Sequence, residues 1–269
     1  MTLLKQHAKT EAISTLIWAV VLGLVGYLTT WLWELLSQSG SMLELQKVLE
    51  NAQGVLKSLV SAGGLSLASL DGWIQGYALG TWVTLPYVIF TALFAAGMIT
   101  REMDRRTMEF VLSLPVSRAQ LLVSRWLVLG GSLTTLHLFH FLGVLGGLAA
   151  LGERGHPDRY ALALFSSLLL HLFVGTLMLL VSLFFDDYGA GLGAVMGIGL
   201  GLNILHMGTA EATGALKSVR GMLPFAWHEV QPIVMDGAVP WGHMLLLAGG
   251  ALLLLAVSVC VFQRKPIAV

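Results

Sequence analysis

Charge is scarce in this sequence, and cysteine is almost absent. Only 11% of the 269 residues are charged and 56% are apolar, against roughly 25% and 45–50% in ordinary soluble domains. This composition excludes a soluble globular protein. Lys and Arg number 15, as do Asp and Glu, so the zero net charge provides no basic surface suited to a nucleic acid. The one cysteine, Cys260, excludes an intrachain disulfide framework.

Long apolar runs dominate the sequence instead. Six of them are long enough to cross a hydrocarbon layer about 30 Å thick, which takes about 20 residues in a helix. The first run has no small-residue cleavage site behind it, so it predicts a retained span and not a signal peptide. We therefore predict an all-α polytopic membrane protein that forms a single transmembrane domain over residues 1–269. The predicted spans cover about residues 13–36, 77–99, 121–151, 160–185, 189–207 and 241–262.

The distribution of Lys and Arg predicts the orientation. An even number of spans puts both termini on one side of the membrane, and that arrangement places nine of the 15 Lys and Arg residues on the same side as the termini. The positive-inside rule therefore predicts a multi-pass protein of the cell membrane with both termini in the cytoplasm. Five of the nine lie between spans two and three or at the start of span three: Arg101, Arg105, Arg106, Arg118 and Arg125.

Two connections have patterns of their own. In residues 41–62 apolar side chains recur at helical spacing, and Ser41 with Glu44 forms a capping box. Each charge in that segment would cost roughly 2.5–3.5 kcal/mol at the bilayer centre. We therefore predict an amphipathic helix that lies on the external membrane surface. Residues 209–240 contain apolar pieces too short to span, which predicts a folded external or partly re-entrant loop.

Charged residues are concentrated in the connection between spans two and three, residues 100–120. Glu102 with Arg106, and Arg105 with Glu109, stand four residues apart. At this spacing an opposite-charge pair stabilises a helix by ~0.2–0.5 kcal/mol. The pattern predicts a short helix that contains all four of these residues.

The end of this connection carries a stop signal and a start signal. Pro115 ends the short helix, and Ser117 with Gln120 forms a capping box that begins span three. This order of helix, break and helix allows two interpretations of the connection. The connection either fixes the topology and does nothing more, or it is a docking helix for a soluble partner.

Several motifs resemble those of ABC-2 type transporter permeases. The family signature reads E-x-x-x-G-T…L-L-x-x-P-V-S-R…K, and its glycine is replaced here by Arg106, a residue that favours helix formation. With the other motifs, the resemblance covers nearly the whole chain. The matching residues are Glu102, Thr107, Leu112, Pro115 to Arg118 and Arg125, an external Leu223-Pro-Phe-Ala-Trp227 and a terminal Phe262-Gln-Arg-Lys265.

The resemblance implies a partner that supplies energy. In the family, a loop such as 100–120 is a coupling helix that sits in a cleft of a separate ATP-binding subunit. We expect two such ATPase subunits and a second permease chain, the same or homologous, surrounded by membrane lipid and without nucleic acid. The residues that would couple this chain to the ATPase are Glu102, Arg105, Arg106, Glu109 and Arg118.

The chemistry expected of this chain follows from the same resemblance. No Walker A sequence occurs, so the chain lacks ATPase motifs of its own and is not expected to be an enzyme. We expect no cofactor or metal in this chain, with ATP and Mg²⁺ bound by the partner ATPase. No charge falls in the middle of a span to line an ion path. The absence of such charges favours a hydrophobic or amphipathic substrate, and the resemblance implies that it is exported.

Predicted span five carries a stripe of glycines at i+4 spacing. Such a stripe allows another helix to approach closely, either in the same chain or in a second permease. A phosphate-binding interpretation fails, because no strand precedes these glycines and no Lys, Ser or Thr follows them. The stripe consists of Gly189, Gly193, Gly197 and Gly201.

Histidines inside the predicted spans leave two alternative functions open. His137 and His140 share a face of span three, and His171 and His206 lie in spans four and five. Their simplest role is hydrogen bonding between helices, and they lack the His-Glu-x-x-His arrangement of a metal site. A membrane-embedded enzyme would need ionisable groups of this kind. A secondary transporter would need paired repeats and broken helices, which are not visible here.

Overall fold

The computed structural model describes residues 2–38, 69–113, 115–210 and 212–266, and these ranges contain helices and no strand. Six helical stretches in them are long and apolar enough to cross a membrane. The predicted all-α polytopic architecture is confirmed, and the predicted surface helix at 41–62 lies outside the described residues. In chain order the helices are α1 (Thr2–Gln38), α2 (Leu70–Trp73), α3 (Thr81–Gly97), α4 (Thr100–Asp104), α5 (Met108–Leu112), α6 (Arg118–Leu151), α7 (Pro157–Ser182), α8 (Tyr188–Gly208), α9 (Ala215–Met222) and α10 (Trp241–Arg264).

The candidate spans differ from the predicted ones mainly at their ends. The first helix begins at Thr2 and not near Ile13, because charged residues interrupt an apolar run without interrupting a helix. Its 37 residues are about 55 Å long, well above the thickness of the hydrocarbon layer. The second span begins with α2, capped by the Ser69 side chain, continues through a π-helical turn at Ile74–Ala78 and then enters α3.

Helix α7 occupies the middle of the bundle and packs against α3, α6, α8 and α10. The residues at these contacts include Leu129, Val174 and Met178, all fully buried. Helix α1 lies on the outside and packs chiefly along α6. Its outward side chains, such as Ile13 and Ile17, are more than half exposed, as expected of a face that meets lipid.

Glycines permit the close contact between α1 and α6. A Cβ on Gly143 would overlap the backbone oxygen of Gly23, and one on Gly26 would lie 2.7 Å from the backbone oxygen of His140. A Cβ on Gly147 would lie 2.6 Å from the Cβ of Thr30. Residues 143 and 147 form a G-x-x-x-G pattern, which was not among the predicted packing sites.

Both described ends of the chain lie at one face of the bundle, here called the terminal face. It comprises the start of α1, the connection 100–117, the connection between α7 and α8, and the end of α10. Ion pairs join these parts: Glu11 with Arg101 at 3.7 Å, and Lys265 with Asp186 at 2.8 Å.

The connection 209–240 is folded against the other end of the bundle. Phe225, Ile233 and Val234 are buried there, and Arg159 of α7 donates hydrogen bonds to the carbonyls of Val234 and Met235 at 2.9 and 3.1 Å. The folded character predicted for this segment is therefore present in the structure.

Candidate functional site: the coupling segment at the terminal face

The coupling segment, residues 100–117, contains two short helices and not one. Helix α4 ends at Asp104 and α5 begins at Met108. Between them the N–H of Thr107 donates to the carbonyl of Glu102 at 2.8 Å, and the N–H of Arg106 donates to the carbonyl of Met103 at 3.0 Å. This pair of bonds is the Schellman arrangement that ends a helix. The predicted single helix through Glu102, Arg105, Arg106 and Glu109 is wrong.

Arg106 occupies the left-handed position of that turn, with φ at +53°. Glycine is the residue best suited to such a position, because it has no Cβ to meet the neighbouring carbonyl. The family signature has its glycine at this place. The expectation that arginine here favours a helix is therefore wrong, because the residue lies just beyond the end of α4.

The turn makes a testable prediction about Arg106. Arg106→Gly should stabilise the coupling segment by about 1 kcal/mol by removing left-handed strain, whereas Arg106→Ala should keep that strain. Hydrogen–deuterium exchange of peptides covering residues 100–113 would measure this as slower exchange in the glycine variant. A continuous helix would give the opposite order, with alanine protecting the segment and glycine weakening it.

A bidentate ion pair joins the coupling segment to α6. The guanidinium of Arg125 donates from Nη1 and Nη2 to the two carboxylate oxygens of Glu102, at 2.8 and 2.7 Å. Arg125 is only 5% exposed. The partner of Glu102 is therefore not the predicted Arg106, because α4 ends before Arg106 and the Glu102 carboxylate reaches α6. Glu102 thus pairs with a residue of its own chain, while 28% of its side chain stays exposed.

Arg118 also makes its hydrogen bonds within the chain. Its Nη1 donates to the carbonyls of Phe262, Gln263 and Lys265 at 3.2, 3.3 and 2.7 Å. A cation is favourable there because the C-terminal carbonyls of a helix carry partial negative charge. The side chain therefore fastens the end of α10 to the start of α6.

Local caps hold the neighbouring helix ends. The predicted capping box is confirmed: the N–H of Gln120 donates to the Ser117 hydroxyl at 3.1 Å, and the N–H of Ser117 donates to the Gln120 side chain at 3.0 Å. Lys265 donates to the carbonyls of Leu183 and Phe185 after the end of α7. The helix ends next to the coupling segment are therefore held by hydrogen bonds.

One exposed part of the segment is the outer side of α5 together with the turn before it. Arg105, Arg106 and Glu109 are exposed, in agreement with a role in contacting another protein. Phe110 is 75% exposed and was not selected from the sequence. The apolar spacing could have found it: Met108, which is buried, and Val111, which is partly buried, lie three residues apart on one face of α5 and leave Phe110 on the other side.

The predicted glycine stripe faces away from the other helices that the structure describes. Among the described residues no atom lies within 4 Å of a Cβ placed on Gly193, Gly197 or Gly201, and Gly189 would meet only Asp187. The glycine of α8 that packs closely within the chain is Gly199, where a Cβ would overlap the end of the Met178 side chain. The stripe is therefore exposed within the part of the chain that the structure describes.

Three of the span histidines meet around Tyr87 in the buried interior. The Tyr87 hydroxyl lies 3.0 Å from Nδ1 of His140, and Nε2 of His137 lies 3.1 Å from the Ser167 hydroxyl. Nδ1 of His171 donates to the carbonyl of Ser167 at 2.7 Å. The first two of these contacts join different helices, as the sequence predicted, whereas the third lies within α7. No group of three or more His, Cys, Asp or Glu residues in the described ranges could hold a metal ion.

Two further histidines lie nearer the connection 209–240. His206 stacks on Phe225 with ring centroids 6.3 Å apart. His228, outside the spans, lies 3.0 Å from the Ser166 hydroxyl through Nδ1. Burial lowers the pKa of His228 to about 4, so this ring is neutral at physiological pH and serves as a hydrogen-bonding group.

One known protein family matches most of the chain. Residues 14–266 match the family described as ABC-2 family transporter protein. The match includes the coupling segment and nearly all of the six candidate spans. A search of curated proteins gave no match.

Proposed function

Because the chain belongs to the ABC-2 family of transporter proteins, and so is a membrane-spanning transport subunit, we propose that it exports a hydrophobic or amphipathic substrate with energy from a separate ATPase. Two copies of this permease, or this chain and a homologue, pair in the membrane and bind two ATP-binding subunits. ATP and Mg²⁺ belong to those subunits. The terminal face, with both termini, lies in the cytoplasm, in agreement with its arginine-rich connection.

The observation that carries this proposal is the exposed surface of α5 on an anchored segment. Phe110 is 75% exposed, and Arg105, Arg106 and Glu109, which lie within five residues of it in the chain, are exposed as well. A central aromatic side chain within a charged rim is the arrangement typical of interface hot spots. We take Phe110 as the anchor that enters the ATPase and the three charged residues as its rim.

Transmission of force requires that the segment move as part of the bundle. A flexible loop would absorb a displacement imposed by the ATPase. Here the segment is tied at one end to α6 by the Glu102–Arg125 pair, and Arg118 fastens the start of α6 to the end of α10. A displacement of α5 is therefore passed to α6 and α10. The exposed residues of α5 and of the turn before it bind the ATPase, while Glu102 and Arg118 transmit its movement.

Phe110→Ala should weaken docking of the ATPase. Loss of an aromatic anchor costs about 2 kcal/mol or more at a protein interface, a ~30-fold loss of affinity. Co-purification of the ATPase with tagged permease, in detergent and at several concentrations, would measure it. Phe184→Ala is the matched control, because Phe184 is 69% exposed at the same face but outside the segment.

The result for Phe110→Ala decides between two readings of this surface. Reduced ATPase retention with normal membrane insertion supports docking through α5. Unchanged retention would show that α5 is not the contact, and the absence of any co-purifying ATPase from the wild type would overturn the proposed function.

The second permease has a natural place on α8. The outward faces of α1 and α10 carry large side chains such as Ile13, Leu245 and Leu253, each at least 66% exposed, which suits contact with lipid. The outward stripe of α8 carries Gly193 and Gly197 instead. Glycine offers lipid little contact area but allows the backbone of another helix to come close. We assign this stripe to the contact between permeases.

Gly193→Leu and Gly197→Leu should weaken that pairing and leave insertion intact, because leucine inserts at least as well as glycine. Cysteine-free permease, labelled and cross-linked in vesicles, would report the fraction of paired chains. Gly249→Leu is the control, since Gly249 is equally open but lies on α10. Full pairing in both α8 variants would show that this stripe meets lipid.

A further inference from the structure

A cavity of about 220 Å³ opens at the terminal face beside the Glu102–Arg125 pair. It lies between the start of α1, the end of α3, the coupling segment and α6. Gln6 and Thr10 of α1 form its exposed rim, so it can be entered from outside the bundle. Its volume is below the ~300–1,000 Å³ of pockets that enclose a drug-sized molecule. It therefore fits a headgroup and not a complete lipid.

One wall of the cavity has polar groups without partners. Arg125 uses both of its Nη atoms on Glu102, while its buried Nε has no hydrogen-bond partner among the described residues. The buried Nδ1 of His7, another lining residue, has none there either. A buried donor left unpaired costs about 1–3 kcal/mol. A ligand that supplies a hydrogen-bond acceptor at this wall would remove that cost.

The site holds charges of both signs. Arg125, Glu102 and Glu11 line the cavity, and Arg101, which lies outside the lining, pairs with Glu11 at 3.7 Å. The two carboxylates disfavour a ligand with net negative charge, and Arg125, with Arg101 neutralising Glu11, disfavours one with net positive charge. A zwitterion satisfies both, because its anionic oxygens can accept from Arg125 while its ammonium lies near a carboxylate.

The remaining lining is apolar. Phe94, Met98, Val111 and Val128 cover the other walls of the cavity. Apolar walls beside a polar one suit an amphipathic molecule whose head enters the cavity and whose chains stay in the membrane along the exposed apolar face of α1.

From this combination we propose that the cavity binds the zwitterionic headgroup of a phospholipid of the phosphoethanolamine type. The inference deepens the proposed function, on which it rests, by naming the class of amphipathic molecule received at the cytoplasmic side. The bound headgroup contacts the ion pair that ties the coupling segment to α6. Occupancy of the cavity and the position of the segment are therefore linked.

The test uses full-length permease without the ATPase, reconstituted in vesicles of equal phosphatidylethanolamine and phosphatidylglycerol. The lipid that remains bound after detergent extraction is quantified by mass spectrometry. Phosphatidylethanolamine should be enriched several-fold over the bulk composition. Thr10→Trp at the rim and Val111→Trp in the wall should each abolish the enrichment by filling the cavity. Leu252→Trp, on the exposed face of α10, should leave it unchanged.

Three results would overturn the proposal. They are enrichment of phosphatidylglycerol, a bulk composition in the wild type, and enrichment that persists in both cavity variants. A competition with soluble glycerophosphoethanolamine separates a lipid ligand from a free headgroup compound. We expect that it does not displace the bound phosphatidylethanolamine, because the lipid chains contribute to binding. Displacement would assign the cavity to the free headgroup compound. Because no ATPase is present, loss of lipid binding would not bear on the ATPase partnership. Conversely, if no ATPase bound this chain, the lipid-binding result would still hold.

Discussion

Replacing Gly143 with leucine should prevent α1 and α6 from packing. The contact is between backbones, since even the Cβ of an alanine would overlap the carbonyl oxygen of Gly23. Overpacking typically costs 1–3 kcal/mol, occasionally more, when side chains can shift. Here a backbone must move, so the loss should reach or exceed the upper end of that range. Among the described helices α1 makes most of its contacts with α6, and no other of them packs against it to a similar extent.

Thermal unfolding of the purified permease in detergent would measure this effect. Gly143→Ala should lower Tm clearly, and Gly143→Leu should leave little monodisperse protein. Gly131→Leu is the matched control on the same helix, because no atom lies within 4 Å of a Cβ at Gly131 among the described residues. Equal Tm values for the Gly143 and Gly131 variants would contradict the close contact.

The second large effect is expected from Glu102→Ala. It leaves Arg125, 5% exposed, as a buried charge without its bidentate partner. Breaking one side of a buried pair costs about 3–5 kcal/mol, and here it also releases the coupling segment from α6. We expect the transport-linked ATPase rate to fall several-fold while the ATPase still co-purifies. Docking and transmission are thereby separated, since Phe110→Ala should reduce docking itself.

The measurement is the ATPase rate of the reconstituted complex at matched subunit stoichiometry. Glu109→Ala, an exposed change on the same segment, is the control and should have a smaller effect. The exchanged pair Glu102→Arg with Arg125→Glu should recover part of the rate, because it restores a pair of opposite charges. A normal rate in Glu102→Ala would rule out the ion pair as the link between the segment and α6.

Local signals in the sequence determined much of the architecture. Spans follow from long apolar runs, because the cost of placing polar groups in hydrocarbon is a property of the run itself. The cap of Ser117 with Gln120 was readable for the same reason, since its donor and acceptor lie three residues apart. The Asp187 cap of α8 is local in the same way, with its carboxylate 2.6 Å from the backbone nitrogen of Ala190.

Only the tertiary structure decided which partner each charged or small residue takes. Glu102 had a candidate partner four residues away, but Arg125, 23 residues away, offers a bidentate pair inside the bundle. Arg118 meets carbonyls 144 to 147 residues later in the chain. No local pattern encodes such contacts, because they depend on which helix ends meet at the terminal face.

The glycines show the same limit. Spacing drew attention to the stripe of Gly193 and Gly197, yet the contact that the fold forms within the chain uses Gly143 and Gly23. A sequence indicates where a close approach is possible, because glycine has no side chain. Which helix comes close is determined by how all the spans share their buried faces, and that is settled only when they pack together.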